Sequence, residues 1–344
     1  MKISTAYIEI TNQCNLNCAT CYNRSGTNLL RRELSFSQIE GIIATLLPLG
    51  TRRFLFSGGE PTLHTEFDKV LSLIDTHSDL SFGIVTNATT GTKSLADAVN
   101  SHSNLTLQIS LDGACEETNA LTRGKGNFEK AMEFAQIIRN TEGNPLLKMV
   151  ISKNNYEDIE RFYLLARSLG FTPEFAYVYR SGNGSDDWEN KALTAREKFA
   201  ALKLIERLNT ELECKAFLPR CTVKCPLFSA EHTLSVCIKV DGSIQPCQGL
   251  YDGKFTVGNI LSFDKNEFDD KMAKIVSLAK ERVGSDFSCS KCILRDTCGK
   301  GCMANADQLT GNPLGDDDGC EFRKLQFVGC GLTKSIREEM NGQV

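Results

Sequence analysis

Along the first half of the chain, apolar and polar residues follow two alternating periods. Short runs rich in β-branched and aromatic residues recur at 5–10 (TAYIEI), 53–57 (RFLFS), 81–86 (SFGIVT), 105–111 (LTLQISL), 146–151 (LLKMVI) and 174–179 (EFAYVY); each reads as a strand. Between them, apolar positions fall at helical spacing. Ile39, Ile42, Ile43, Leu46 and Leu47 form one stripe, and Ile159, Phe162, Tyr163, Leu165 and Ala166 another. Strands alternating with helices predict right-handed βαβ units and a parallel sheet. Six units give an α/β fold, a partial (β/α)6 TIM-like barrel, whose chemistry belongs beyond the C-terminal strand ends.

The pattern breaks after the last of these strands. Residues 181–187 (SGNGSDD) read as a loop or linker, and a helix is expected over 193–212. Beyond it lie short strands, turns and cysteines, without long periodicity until 264–282. A core domain over 1–212 and a second, irregular domain over 213–344 follow, in keeping with about 150 residues per domain. The second region has too little apolar periodicity to bury a core unaided, so bound metal is expected to hold it together.

Composition narrows the partners. Apolar residues make up 41% and charged residues 24%, which is ordinary for a globular chain. Lys plus Arg number 39 against 43 Asp plus Glu, a net charge of −4 that favours neither nucleic acid nor an anionic membrane. No run approaches the roughly 18 apolar residues of a membrane span, and the N-terminus lacks a secretory signal, so a cytoplasmic location is expected. Against that background, fifteen cysteines are an anomaly. In a reducing compartment clustered thiols point to metal or catalysis rather than disulfides. Three crowd into Cys14–Cys21 and eleven fall from Cys214 onward.

The segment CNLNCATC sets Cys14, Cys18 and Cys21 in a C-x3-C-x2-C pattern directly after the first strand. Three thiolates on one loop can hold three irons of a cubane cluster and leave the fourth iron open; a zinc site lacking a ligand, or three buried thiols, are the alternatives. Further strand ends carry polar groups. Gly58, Gly59, Glu60 and Pro61 follow the second strand, where glycines permit close backbone approach and a carboxylate can accept from an amine. Ser110 and Asp112 close the fourth strand, placed for a ribose hydroxyl or for capping a helix. Arg123 precedes a helix and can pair with a carboxylate.

Together, over residues 5–180, these positions resemble the radical S-adenosylmethionine (SAM) enzymes. The resemblance assigns Cys14, Cys18 and Cys21 to a [4Fe–4S] cluster with an open iron site. It assigns Gly58, Gly59, Glu60 and Pro61 to the motif that meets the SAM amino group, puts Ser110 and Asp112 on the ribose side, and adds Asn87 and Arg123 to the SAM-binding set. Two positions depart from the pattern: Thr20 replaces an aromatic residue before the third cysteine, and Asn119-Ala120 replaces His-Asp.

In the last third, Cys289, Cys292, Cys298 and Cys302 run C-x2-C-x5-C-x3-C, with Cys320 downstream. Upstream, Gly242 and Cys247 form G-x4-C inside a hairpin expected to turn at Asp241-Gly242. A zinc ribbon is the simpler reading of a C-x2-C pair. The whole arrangement resembles the SPASM extension of radical SAM enzymes, which implies two auxiliary iron–sulfur clusters, expected as [4Fe–4S]. Cys289, Cys292, Cys298 and Cys320 would hold the distal one. Cys247 and Cys302 would hold the nearer one with two of Cys221, Cys225 and Cys237, the pair Cys225 and Cys237 being favoured. A three-residue hairpin loop ending in a glycine bulge would put Cys237 and Cys247 on one face; a two-residue turn would put them on opposite faces. Cys115, Cys214 and Cys330 have no spacing partner and read as buried thiols.

The resemblance implies reductive cleavage of SAM to methionine and a 5′-deoxyadenosyl radical, which takes hydrogen from an unactivated carbon. The expected substrate is a peptide or protein, and the leading product is a thioether or carbon–carbon crosslink in a ribosomally made peptide. A formylglycine-generating oxidase is the alternative, disfavoured because Gln248 stands where those enzymes carry Asp; peptide epimerisation and a non-enzymatic metal scaffold are further alternatives. A one-electron reductant of flavodoxin or ferredoxin type is implied. Because the first strand begins by residue 5, leader-peptide recognition is expected either to come from a separate protein or not to be needed. The sequence names no general base. Tyr177, Tyr179 and Trp188 lie near the last strand end, where they could face substrate or simply pack.

Overall fold

The structure is a computed structural model that describes residues 1–27, 30–138, 145–219, 225–228, 234–250, 253–284 and 287–329. All six expected strands form: β1 (Ile3–Thr11), β2 (Arg53–Gly58), β3 (Ser81–Thr86), β4 (Leu105–Ser110), β5 (Leu146–Ile151) and β6 (Thr172–Tyr177). Consecutive strands pair in parallel throughout. The helices that return the chain are α1 (Phe36–Leu46), α2 (Phe67–Thr76), α3 (Lys93–Ser101), α4 (Glu116–Arg123), α5 (Asn127–Ile137) and α6 (Ile159–Ser168). Ser35 and Gln38 close a reciprocal cap on α1, and Ile39, Ile42, Ile43 and Leu46 form its buried stripe.

Sheets covered by helices on both faces carry nearly continuous apolar runs, but β4 and β5 alternate strictly and β6 over most of its length. On β4, Leu105, Leu107 and Ile109 are buried while Thr106, Gln108 and Ser110 are half-buried. One face therefore packs under the helices and the other lines the interior of a partial barrel. Adjacent polar residues pair across that inner face: Lys148 on β5 and Glu174 on β6 stand in register, with Nζ 2.8 Å from the carboxylate. The apolar side is tightly filled, and Phe82 stacks against both Phe54 and Phe56 at 6.1 and 5.9 Å.

The cysteine-rich region adds to this sheet. Strand β7 (Leu234–Ile238) lies parallel to the free edge of β1, and β8 (Ser243–Gln245) and β9 (Gly258–Asn259) continue outward, giving the order β6-β5-β4-β3-β2-β1-β7-β8-β9. Hydrogen bonding thus runs through the boundary expected near residue 212. The β7–β8 loop holds residues 240–242, closed by Lys239 N donating to Ser243 O at 3.0 Å, with Gly242 at φ +81°. That left-handed glycine is the bulge geometry that allows Cys237 and Cys247 to share a face. The helices Ala195–Glu211 and Lys265–Gly284 match the two expected long segments. After them come Phe287–Ser290, Arg295–Cys298, Met303–Thr310 and Cys320–Gly329, all short. Every described cysteine is a free thiol. Among the described residues no helix is long and apolar enough to cross a membrane.

Candidate functional site

The Cys14–Cys21 loop leaves the C-terminal end of β1 and is gripped from several strand ends at once. From β2, Gly59 N donates to Thr11 O at 2.8 Å and Glu60 N to Gln13 O at 2.7 Å. A Cβ on Gly58 would sit 2.1 Å from Thr11 O, and one on Gly59 1.9 Å from Gln13 O. The two glycines are therefore required by the cysteine loop itself, whose backbone they meet directly. Glu60 is buried. Its carboxylate accepts from Thr62 Oγ1 (2.8 Å), Thr86 Oγ1 (2.6 Å) and Asn87 N (2.7 Å). It joins the end of β2 to the end of β3, and burial raises its pKa against those bonds. Pro61 opens the buried turn that follows.

Asn87 carries the contact onward. Its Nδ2 donates to Asn15 Oδ1 at 2.9 Å and stands 4.0 Å from Cys14 Sγ, while Thr89 fixes its oxygen. From β4, Asp112 is wholly buried; Oδ1 accepts from Val150 N at 2.9 Å, and Oδ2 is 2.9 Å from Arg123 Nε, an ion pair too bent to count as a hydrogen bond. Neither Asp112 nor Ser110 caps a helix; the residue before α4 is Cys115. Asn119, the first departure position after that strand, turns its Oδ1 to Asp112 N at 2.9 Å and so holds this corner. Burial alone would lower the pKa of Arg123, but Asp112, with Cys18 and Cys21 nearby, more than offsets it and holds the guanidinium above its ordinary value. Arg123 thus sets a positive charge toward the thiols.

The segment 181–187 is more than a linker. Asn183 N donates to Cys21 O at 2.8 Å, and Asn183 Nδ2 donates to Asn17 Oδ1 and Cys18 O, both at 2.9 Å. Ser181 Oγ donates to Tyr22 O at 2.7 Å. Gly182, at φ +56°, approaches so closely that a Cβ would meet Cys21 O at 2.4 Å. A Gly/Ser/Asn-rich sequence gives no sign of this role, because the same composition serves any surface turn. A second unforeseen element is the buried carboxylate of Glu9, 2.6 Å from Lys239 Nζ, which also bonds Asn23 at 3.1 Å. This ties β1 and the cysteine loop to the β7–β8 hairpin.

Burial pushes the Cys14 thiol up to about 12, opposed by a Leu16 backbone hydrogen bond and reinforced by Glu60, Cys18 and Cys21. The three sulfurs therefore feel one another. Among the described residues no three His, Cys, Asp or Glu side chains converge tightly enough for a single metal ion. A cubane places looser demands, since each cysteine binds a different iron.

In the C-terminal region the cysteines sort into two groups. Burial pushes Cys247 up to about 12, with Cys302 and Cys225 adding to it. Tyr179, just past β6, brings its hydroxyl 3.7 Å from Cys302 Sγ among these same thiols. Tyr177, by contrast, packs on Phe322 and bonds Lys198 O, and Trp188 lies under Arg180. Cys237 lies chiefly beside Glu9 and Lys239, with Cys247 a weaker neighbour, and Cys221 and Cys330 fall outside the described residues. Separately, Cys289, Cys292, Cys298 and Cys320 line one cavity of about 310 Å³. Cys115 and Cys214 are half-buried and join neither group.

The comparisons agree with this geometry. Residues 8–166 match the model of the radical SAM superfamily. Mycofactocin maturase MftC of Mycolicibacterium smegmatis is 28% identical over 323 residues, spanning 91% of this chain and 81% of that protein. Among solved structures, Streptococcus suis SuiB bound to S-adenosylmethionine superposes with a TM-score of 0.76 at 17% identity, covering 92% of this chain and 76% of that one. The anSMEcpe structure with bound AdoMet gives 0.74 at 19%, covering 98% and 100%. Both share the fold. The radical SAM match, over residues 8–166, runs from β1 into α6 and takes in the Cys14–Cys21 loop.

Proposed function

We propose that this protein is a SAM-dependent radical enzyme that modifies a peptide, and that the modification is a thioether or carbon–carbon crosslink. The observation that carries the reading is the Cys14–Cys21 loop, fastened at the C-terminal strand ends by hydrogen bonds from β2 and from Asn183. A [4Fe–4S] cluster on Cys14, Cys18 and Cys21 would supply, at its open iron, the electron that cleaves SAM to methionine and a hydrogen-abstracting radical. The chain's own residues hold that chemistry in place. Gly58 and Gly59 keep the loop against β2, and Glu60 clamps β2 to β3. Glu60 and Asp112 have internal partners, so they shape the SAM pocket, and Arg123 is the charged group left facing the thiols. Ser110, on the inner face at the end of β4, and Asn87 complete the SAM-facing set.

The nearer auxiliary cluster would rest on Cys225, Cys247 and Cys302, with Cys221 or Cys237 as fourth ligand; the distal one would rest on Cys289, Cys292, Cys298 and Cys320. Similarity to a maturase over 91% of this chain supports a peptide substrate, and a flavodoxin- or ferredoxin-type protein would deliver the electron. Leader recognition by a separate protein completes the proposed partners. Anaerobically reconstituted protein should hold about twelve irons, three cubanes of four. With SAM and dithionite it should release 5′-deoxyadenosine, and Cys14→Ala should release none; a silent wild type would overturn the enzyme reading. A short peptide encoded beside this protein should lose two hydrogens per crosslink in intact-mass measurement. An unchanged mass would favour epimerisation instead.

A further inference from the structure

The two C-terminal cysteine groups are joined by a buried ion pair. Arg323 and Asp317 are 2% and 7% exposed. The guanidinium grips the carboxylate through both terminal nitrogens, at 2.8 and 2.6 Å. Its remaining nitrogen, Nε, donates to Cys298 Sγ at 3.1 Å. On the other side, Asp317 Oδ2 accepts from Cys302 N at 2.8 Å. The chain makes room for the pair: Gly301 is at φ +73°, and a Cβ there would lie 2.2 Å from Arg323 and 2.3 Å from Asp317.

A buried ion pair is weak evidence for stability, since desolvation offsets most of its attraction. The contact with sulfur suggests a further role. A charged donor on a thiolate stabilises the more negative state of whatever that sulfur binds. We propose that Arg323, oriented by Asp317, is a positioning residue that raises the reduction potential of the Cys289, Cys292, Cys298 and Cys320 site. The inference rests on the auxiliary-cluster reading above. Lys324 lines the same cavity, and Lys300 is engaged by Leu314 O and Asp316. Arg282 lies on the Cys302 side, bonded to Gly301 O and Gly315 O.

The test is a redox titration of the reconstituted holoprotein, followed by electron paramagnetic resonance with iron counted in parallel. Arg323→Gln should keep about twelve irons and lower one auxiliary midpoint, so that its reduced-to-oxidised ratio at the wild-type midpoint falls about tenfold, 59 mV for one electron. Lys324→Gln, which removes a cation from the same cavity, should shift that midpoint less. Full iron with an unmoved midpoint in Arg323→Gln would overturn the proposal. If Arg323→Gln loses iron, Arg323→Lys decides: a smaller downward shift supports the role and an unchanged midpoint removes it. A wild type with about four irons and no auxiliary signal overturns the cluster reading instead, which the iron count identifies separately.

Discussion

The two cysteine-bearing regions are built on opposite plans. The Cys14–Cys21 loop is fixed by a scaffold that folds around it: β2 meets its backbone, β3 reaches it through Asn87, α4 meets it where Ala19 N donates to Thr122 O, and Asn183 closes the far side. The region from Cys289 to Cys320 has only helices of four to eight residues between its cysteines. Short helices are marginal without tertiary support, and here a few buried apolar side chains, Leu294, Met303, Ala304, Ala306 and Phe322, share that role with buried charged groups around a cavity. The first site is built by the sheet; the second has less scaffold of its own, so bound metal is expected to contribute more to its shape.

The sharpest way to break that contrast is to remove the iron. Where ligands become ordered only with metal, binding free energy is folding free energy. Chelation under anaerobic conditions should strip hydrogen-exchange protection from residues 287–329 by orders of magnitude. Amides of β1–β6, buried in the barrel core, should stay protected. Retained protection in the C-terminal segment would mean that the Arg323–Asp317 pair and the cavity walls suffice alone, and the comparison would fail.

A smaller, local effect is expected at Gly59. An alanine Cβ would lie 1.9 Å from Gln13 O, which is backbone and cannot swing aside. Overpacking of this kind costs about 1–3 kcal/mol. The strain falls beside Cys14, so Gly59→Ala should lower the melting temperature modestly and reduce 5′-deoxyadenosine release at least tenfold. The C-terminal iron should be unaffected. Normal release would show that the close approach does not hold the first cysteine in place.

The barrel was legible because its signals are local. Alternation within β4 and β5 and the apolar stripes of α1 and α6 report which residues face the helices, and the strand limits agree to within two residues. The hairpin at Asp241-Gly242 was legible for the same reason, as was the grouping of Cys289, Cys292, Cys298 and Cys320, which line one cavity. What the sequence hid depends on partners far along the chain. Glu60 reads as a group free to bind an amine until Thr86 and Asn87 occupy it, and Asp112 as one free to meet a ribose hydroxyl until Val150 and Arg123 do. The pairing of β7 with β1 joins residues more than two hundred positions apart, beyond the reach of any periodicity. Arg323 was hidden too: its position on the helix that opens at Cys320 says nothing of Cys298 until the helix is docked.

Asn183 tests the scaffold's share in the first site at its most distant contact. Replacing it with alanine deletes the two side-chain donations to Asn17 and Cys18 but leaves its backbone bond to Cys21. An ordinary hydrogen bond contributes about 0.5–1.5 kcal/mol. The barrel has enough other contacts to absorb a loss of that size, so Asn183→Ala should fold and load iron. The Cys18 carbonyl would then keep only its bond from Cys21 N, within the loop itself, so the loop loses two of its ties to the 181–187 turn. Iron should leave the N-terminal site several-fold faster under competing chelator, with auxiliary iron lost at the wild-type rate. Equal rates at the N-terminal site would mean that β1, β2 and β3 hold the three thiols by themselves, and that the 181–187 turn only covers them.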